Sequence, residues 1–223
     1  MSSIIQDVYY EVFIRLPVES LLLCRSVCKS WVSIISSPAF VKYHLDFNSK
    51  NTPRLIYQNP ERNFCISSSK SEKDVGCPSF KDPSCDIDLL GSCNGLVCLR
   101  FGYNGGLLCV WNPATRQCSK IPRSPNGVPK PEINNTYAFG YDYKIGDYRL
   151  LIARESSVDV YTLGLGSWEN NDDGDILLQD GSGVVLYDPE HPSAIKQISH
   201  GSNAVDKHNY VESLISPNSC TFK

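Results

Sequence analysis

The chain has 223 residues, a length typical of one or two domains, and 41% of them are hydrophobic while 20% are charged. Lysine and arginine number 21 against 24 acidic residues, and a net charge of −3 without a long basic stripe argues against binding driven by nucleic-acid phosphates. No apolar run approaches the roughly 18–20 residues of a membrane span. We therefore expect neither a nucleic-acid partner nor a membrane partner.

The N-terminal residues do not match a secretory signal peptide, because they lack a basic segment and carry Asp7 and Glu11 among their apolar residues. We expect the protein in the cytoplasm, the nucleus or both, with its ten cysteines as reduced thiols. The chain has no C-x-x-C pair, and the closest cysteine pairs have no histidine nearby. Small hydrophobic side chains are therefore favoured over a metal site or a disulfide framework.

The first 45 residues have the apolar spacing of short helices. Val8, Val12 and Phe13 recur at short helical intervals, with charged residues between them. Pro17 suits the first turn of a second helix, since its fixed φ is helical and its missing N–H is not needed there. An apolar stripe follows at positions 21, 24, 27, 28 and 31, and Pro38 begins another short segment.

A helical unit this small is marginally stable alone. Burying one leucine side chain is worth about 1.5–3 kcal/mol, so leaving several of these side chains in water would be costly. The stripe is wider than a single helix face, which is typical of helices buried on more than one side. We therefore expect a partner protein to cover part of it.

From Asn48 onward the pattern changes to short runs typical of β-strands, bounded by Gly, Asn, Asp and Pro. The runs are RLIY (54–57), GLVCLRF (95–101), GLLCVW (106–111), YAFGYDY (137–143), YRLLIA (148–153), SVDVYTL (157–163), DILLQ (175–179) and GVVLYD (183–188). The series predicts an antiparallel all-β architecture, either propeller-like or a sandwich. The similarity of LLCVWNP (107–113) to GVVLYDP (183–189) hints at repeated blades, although coincidence between strand–turn units explains it nearly as well.

Residues 6–45 resemble the F-box, the helical motif that docks onto the Skp-type adaptor of cullin-based SCF ubiquitin ligases. The matching residues are Arg15-Leu16-Pro17, Ser20-Leu21-Leu22, Val27-Cys28-Lys29-Ser30-Trp31, Ile35-Ser36-Ser37-Pro38 and Phe40. Five later segments resemble the F-box-associated domain of a large plant family: GSCNGLVCL (91–99), VWNPATRQCSKIP (110–122), FGYDYKIGDYRLL (139–151), VDVYTLGLGSW (158–168) and YVESLISP (210–217).

The resemblance implies an α+β chain with a small N-terminal helical F-box (1–45), a linker with a possible hairpin (46–90) and an antiparallel all-β, propeller-like but incomplete domain (91–217). It implies a non-catalytic subunit without cofactor or metal, the substrate-recognition adaptor of an SCF-type E3 ubiquitin ligase. Its partners would be the Skp-type adaptor and cullin of that complex and an unknown target protein, presented for ubiquitin-dependent degradation. The adaptor-binding residues implied are Leu16, Pro17, Leu21, Leu22, Val27, Cys28 and Trp31, with about half of the stripe facing inward.

The chain departs from the family pattern at two places. Ile4-Ile5 stand where a Leu-Pro pair usually precedes the acidic residue at Asp7, so an apolar contact is kept and a rigid turn is lost. Near 169–174, GSWENNDDGDILL joins two segments that several strands separate in the family. Missing central strands leave sheet edges unpaired, so we expect a β domain of poor stability unless a partner or a dimer covers it.

Two other functions stay open. The chain could be a shortened competitor or relic that binds the adaptor without selecting a target, or a β-rich enzyme. None of the four histidines, at positions 44, 191, 200 and 208, lies in a G-x-S-x-G or H-E-x-x-H context, which disfavours a hydrolase. The acidic segment 169–180 approximates a calcium loop, but its flanks have strand patterns, so a solvated loop is favoured.

Overall fold

A computed structural model describes residues 2–51, 54–68, 71–78, 86–102, 106–127, 136–154, 158–170, 176–179, 184–187, 195–198 and 207–218. Within these ranges the helices precede the strands. The helices are α1 (Ser2–Phe13), α2 (Val18–Cys24), α3 (Lys29–Ile35) and α4 (Pro38–Asn51). The strands are β1 (Arg54–Gln58), β2 (Phe64–Ser67), β3 (Glu72–Gly76), β4 (Ile87–Cys93), β5 (Leu96–Phe101), β6 (Leu107–Asn112), β7 (Gln117–Ile121), β8 (Thr136–Asp142), β9 (Asp147–Ala153), β10 (Val158–Thr162), β11 (Ser167–Asn170), β12 (Ile176–Gln179), β13 (Val184–Tyr187), β14 (Ile195–Ile198) and β15 (His208–Tyr210).

The helices begin where the sequence favours an extended residue before the first turn. Pro17 precedes α2 with φ −64° and ψ 155°, and Cys28 precedes α3 with φ −160° and ψ 162°. The apolar stripe at positions 21–31 is therefore divided between two helices and the turn that joins them. α4 begins at Pro38, and the backbone N–H of Phe40 donates a hydrogen bond to the hydroxyl oxygen of Ser37 at 3.3 Å, which caps its first turn.

The strands form three antiparallel sheets, with the orders β15-β1-β2-β3, β4-β5-β6-β7 and β11-β10-β9-β8-β12-β13-β14. Most neighbours are consecutive hairpins, and Asn94 (φ 51°) and Gly95 (φ 83°) supply the left-handed turn between β4 and β5. Among the residues that the structure describes, β12 joins the third sheet beside β8, with Gln179 opposite Tyr141. The predicted fold class is confirmed: short helices are followed by antiparallel sheets that do not close into a barrel, as in an incomplete propeller-like domain.

The last strand of the chain completes the first sheet. β15 pairs with β1, with Arg54 opposite Tyr210. The segment after β15 is held by the side chain of Asn112, at the end of β6, which donates to the carbonyl oxygens of Ser213 and Ile215. The first and last strands of the β region therefore lie side by side, and the last strand completes the sheet to which the first strand belongs.

The helices share a hydrophobic core with the sheets. One buried cluster contains Phe13, Leu21 and Phe40 from the helices together with Leu96 from the second sheet and Leu150 from the third. A second cluster joins the first and second sheets through Ile56, Phe64, Leu99, Trp111 and Tyr210. Because side chains of both regions fill one core, the helical unit is packed against the sheets rather than tethered to them.

The predicted division into residues 1–45, 46–90 and 91–217 stays a prediction. Within 46–90, α4 continues to Asn51, and β1 and β2 pair as an antiparallel hairpin. Residues 171–175, within the region where strands are predicted to be missing, lie outside the described residues. The longest described helix, α4, has 14 residues, and among the described residues no helix is both long and apolar enough to cross a membrane.

Candidate functional site

The N-terminal helices carry an unusual number of exposed apolar side chains. Val8 and Val12 lie one turn apart on α1 and are 57% and 52% exposed. Val27, in the turn before α3, is 61% exposed, and Tyr9 and Val32 are partly exposed as well. We name these five residues, together with Cys28 and Trp31, the helical apolar surface. Exposed apolar side chains grouped on neighbouring elements are typical of protein interaction sites.

Trp31 links the two helices that form this surface. Its ring lies edge-on to Phe13 at a centroid distance of 5.0 Å and to Tyr9 at 5.5 Å. Tyr9 and Phe13 stack on each other along α1 at 5.9 Å. Edge-to-face aromatic pairs add about 0.5–1.5 kcal/mol beyond the area that they bury. The half-buried Trp31 therefore fixes α1 against α3 and holds the exposed valines of both elements in place.

The structure divides the seven predicted docking residues. Val27 and Cys28 are exposed at the start of α3, next to Trp31 in the sequence. Pro17 is exposed and Leu16 is half-buried at the α1–α2 turn.

Leu21 and Leu22 point away from this grouping. Leu21 is 0% exposed and belongs to the core shared with the sheets, so it cannot contact a partner directly in this arrangement. Leu22 packs against the same core and lines a cleft towards the first sheet. Burial of Leu21 follows from its position on the inner face of α2, beside the buried Val18 three residues earlier.

The sequence interpretation missed part of the exposed surface. Val8 and Val12 were recognised as helical residues, but their exposure, like that of Tyr9 and Val32, was not predicted. Their four-residue spacing is a signal for a shared helix face, yet the spacing is the same whether that face points inward or outward. The side of α1 that meets the core is decided by packing: Phe13 is buried there, whereas the preceding residue, Val12, is left in solvent.

Ile4 and Ile5 lie within α1, which begins at Ser2. The family's Leu-Pro pair would place a rigid φ at this point, whereas the present chain is helical through both isoleucines. The substitution therefore coincides with a continuous helix instead of a turn at the start of the predicted F-box.

His44 has a structural role. It is 0% exposed, and its Nε2–H donates to the backbone carbonyl of Leu16 at 2.9 Å, which ties α4 to the α1–α2 turn. Asn48 lies one turn further along α4 and donates to Nδ1 of the same ring at 3.1 Å. Burial lowers the pKa of His44 despite the opposing effect of the Leu16 hydrogen bond, so the ring is neutral near pH 7.

A cleft of about 310 Å³ separates α2 from the first sheet and the β6–β7 turn. Leu22 and the 70% exposed Leu23 line its helical side, and Lys73 of β3 reaches across to Glu19 of α2 at 3.1 Å. Both members of this ion pair are largely exposed, so it contributes little to stability.

The described residues include no group of three or more His, Cys, Asp and Glu side chains that could hold a metal ion. The acidic stretch that approximates a calcium loop falls largely outside the described residues, as do His191 and His200. Of the two described histidines, His44 is engaged by backbone and Asn48, and His208 lies in β15.

A helical unit packed on propeller-type sheets is the architecture of the F-box proteins that carry an associated β-propeller domain. The family model of the F-box domain matches residues 1–43, and that of the F-box associated beta propeller domain matches residues 42–182. The chain belongs to this family. The two matched regions meet within α4, whose helical residues continue past both boundaries.

Several Arabidopsis thaliana proteins are similar to this chain. F-box protein CPR1 is 27% identical over 168 residues, which are 71% of this chain and 39% of CPR1. F-box/kelch-repeat protein At2g43270 is 28% identical over 190 residues, 75% of this chain and 86% of that protein. The chain spans about two fifths of the length of CPR1 and of F-box protein At3g07870, where the covered shares are 39% and 37%.

Proposed function

We propose that the chain is the substrate-recognition adaptor of an SCF-type ubiquitin ligase. The helical apolar surface binds the Skp-type adaptor, which connects the chain to a cullin, and the β domain binds a target protein. The observation that carries the proposal is the set of exposed valines on an F-box that is otherwise packed into the core. The complex acts in the cytoplasm or the nucleus and leads to degradation of the target.

The chain itself performs no bond-making step in this proposal. Its contribution is proximity, because a target held near the charged ubiquitin carrier meets a high effective concentration of the reactive group. The core shared by the helices and the sheets supports this role, since a rigid connection fixes the distance and direction between adaptor and target. A flexible connection would spread the target over a larger volume and lower that concentration.

Apolar burial supplies the binding free energy. Residues 1–45 contain four basic residues (Arg15, Arg25, Lys29, Lys42) and three acidic ones (Asp7, Glu11, Glu19), so no strong charge steers the contact. Burying one valine side chain fully is worth about 1.5–3 kcal/mol, and three valines of the surface are more than half exposed. Leu21 is buried in the core shared with the sheets and is not a contact residue in the proposal.

The test is calorimetric titration of the full chain with a purified Skp-type adaptor. Val27→Asp places an unpaired charge in the proposed interface, and we expect it to weaken binding at least tenfold, which corresponds to about 1.4 kcal/mol. The matched control is Leu165→Asp, since Leu165 is 67% exposed on the β10–β11 turn, far along the chain from the F-box. Equal binding by wild type and Val27→Asp, or no binding by the wild type, would contradict the proposal.

The shortened competitor is the second candidate, favoured by one observation. In the sequence, GSWENNDDGDILL joins two segments that several strands separate in the family pattern, so the β domain would have fewer strands with which to form a target site. Co-purification from native tissue separates the two candidates. Recovery of adaptor together with ubiquitylated proteins supports the adaptor function, whereas adaptor alone supports the competitor.

A further inference from the structure

Two cysteines on neighbouring strands form a thiol pair that the proposed function does not use. Cys109 lies in β6 opposite Lys120, and Cys118 lies in β7 opposite Trp111. Cys109 and Cys118 therefore occupy the same sheet face on a diagonal, two residues apart in register. The two thiols lie near enough for each to shift the pKa of the other, that of Cys109 upward and that of Cys118 downward.

The two thiols have different access to solvent. Cys109 is 0% exposed and lies in the core between the first and second sheets. Cys118 is only partly buried, and β7 is the edge strand of the second sheet. A small solute can therefore reach Cys118, while Cys109 is protected behind it.

The electrostatic surroundings also make Cys118 the more reactive of the two thiols. Interaction with the Cys109 thiol lowers the pKa of the Cys118 thiol, burial opposes this effect, and the Lys120 ammonium group lowers it further. The pKa of Cys109 is raised, first by its interaction with the Cys118 thiol and then by burial. Because the thiolate is the reactive form, Cys118 is the better nucleophile of the two.

We propose that Cys118 is a site of oxidation by hydroperoxides and that Cys109 is its resolving thiol, the two forming a disulfide across β6 and β7. In the first step the Cys118 sulfur attacks the peroxide, an S–O bond forms, the O–O bond breaks, and the leaving oxygen takes up a proton as water or an alcohol. In the second step the Cys109 sulfur attacks the Cys118 sulfur, an S–S bond forms, and water leaves with the thiol proton. The two sulfurs together lose two electrons, which the peroxide accepts.

The bridge requires a small movement of β7. Diagonal neighbours in an antiparallel pair have Cα atoms about 7–8 Å apart, whereas disulfides usually span 4.4–6.8 Å. Among the described strands, β7 pairs with β6 alone, so a shift of about 1 Å would break no second ladder there. The shift displaces the residue opposite the buried Trp111, so oxidation changes the surroundings of that indole ring.

Cys77 is the competing partner. It follows β3, is exposed, and lies near enough to Cys118 for the two thiols to interact electrostatically. Partial desolvation of its sulfur, although the residue as a whole is exposed, raises the pKa of Cys77 to about 11, with a smaller contribution from Cys118, which makes Cys77 the poorer nucleophile. A bridge to Cys77 would also join two different sheets, whereas Cys109 lies on the strand next to Cys118.

To test the proposal, the reduced full chain is treated with hydrogen peroxide and the remaining thiols are blocked by alkylation. The tryptic peptides are then mapped by mass spectrometry. Trypsin cleaves after Arg116, so Cys109 and Cys118 fall in separate peptides. We expect these peptides to be linked with a loss of two hydrogen atoms, about 2 Da, and to separate on reduction with dithiothreitol. Oxidation at Cys118 should be several-fold faster than at the exposed Cys28.

Variants assign the roles of the two thiols. In Cys109→Ala the sulfenic acid of Cys118 should accumulate and be trapped by dimedone, whereas Cys118→Ser should give neither the bridge nor the adduct at this site. Cys24→Ser, at a cysteine of α2 that is partly buried like Cys118, is the matched control and should form the bridge as the wild type does. A bridge from Cys118 to Cys77, or oxidation of Cys118 no faster than that of Cys28 in the wild type, would overturn the proposal. The wild-type mapping is informative even if a core variant fails to fold.

Discussion

Replacing Asn112 by alanine should loosen the closure of the first sheet. The Asn112 side chain is 0% exposed and donates to Ser213 O at 3.0 Å and to Ile215 O at 2.7 Å. Its oxygen accepts hydrogen bonds from the backbone N–H groups of Ala114 at 2.9 Å and Thr115 at 3.3 Å, which shapes the β6–β7 turn. One side chain therefore holds both the C-terminal segment and the turn beneath it.

The cost follows from the groups that lose their partners. Asn112→Ala leaves two carbonyl oxygens and the N–H groups of the turn unpaired in a buried position. Each such group costs about 1–3 kcal/mol, and we expect a total loss of about 3–5 kcal/mol when the weaker contacts are discounted. Asn112→Asp should be at least as damaging, because a carboxylate keeps the acceptor role but faces two carbonyl oxygens without a donor.

Urea unfolding and hydrogen exchange measure this effect. We expect the free energy of unfolding to fall by the stated amount and the Tyr210 amide to exchange faster, since its strand is no longer anchored. The matched control is Asn209→Ala, because Asn209 is exposed on β15, and its change should stay within about 0.5 kcal/mol. If Asn112→Ala is no more destabilising than this control, the anchoring role of Asn112 is refuted.

Two further predictions concern the turn between β4 and β5 and the pH dependence of the free energy of unfolding. Gly95→Ala should destabilise the chain by about 2 kcal/mol or more in urea unfolding, because its φ is +83° and an added Cβ would lie 2.3 Å from the side-chain oxygen of Ser213; a neutral result would contradict the close approach. Burial opposes ionisation of Asp159, but its hydrogen bonds hold the pKa below its usual range, and their donors are Ser124, Asn126 and Arg154. The stability from this lowered pKa is present above the unfolded value of about 3.9 and is lost as pH falls through the folded pKa. Asp159→Asn should therefore flatten the stability curve between pH 2 and 5, and an unchanged slope would refute the reasoning.

The sequence by itself determined the order of the elements, with helices in the N-terminal region and strands in the rest of the chain. Pro17 and Pro38 stand directly before or at the start of α2 and α4, and the runs around residues 96–101, 107–112 and 147–153 are strands. These features are local: proline fixes φ, and apolar runs bounded by turn residues favour hairpins. Part of the candidate site is local as well, since Val27, Cys28 and Trp31 adjoin in sequence and stand together at the start of α3.

Strands without an apolar run were not predicted from the sequence. β3 (Glu72–Gly76) is mostly polar and exposed, because it is an edge strand and buries few side chains. β15 has three residues and exists because it pairs with β1, which lies about 150 positions earlier in the chain. A strand of that length has no periodicity of its own to recognise, so only its partner reveals it.

Tertiary structure alone decided which apolar residues are covered. Val12 follows Val8 by four residues and Leu21 follows Val18 by three, and both spacings are helical. Yet Leu21 is buried in the core shared with the sheets, whereas Val12 is 52% exposed. The placement of Cys109 and Cys118 on one face of neighbouring strands is likewise set by strand register, which the sequence does not encode locally. Helical and strand periods define faces, but the packing of one element against another determines which face meets protein and which meets water.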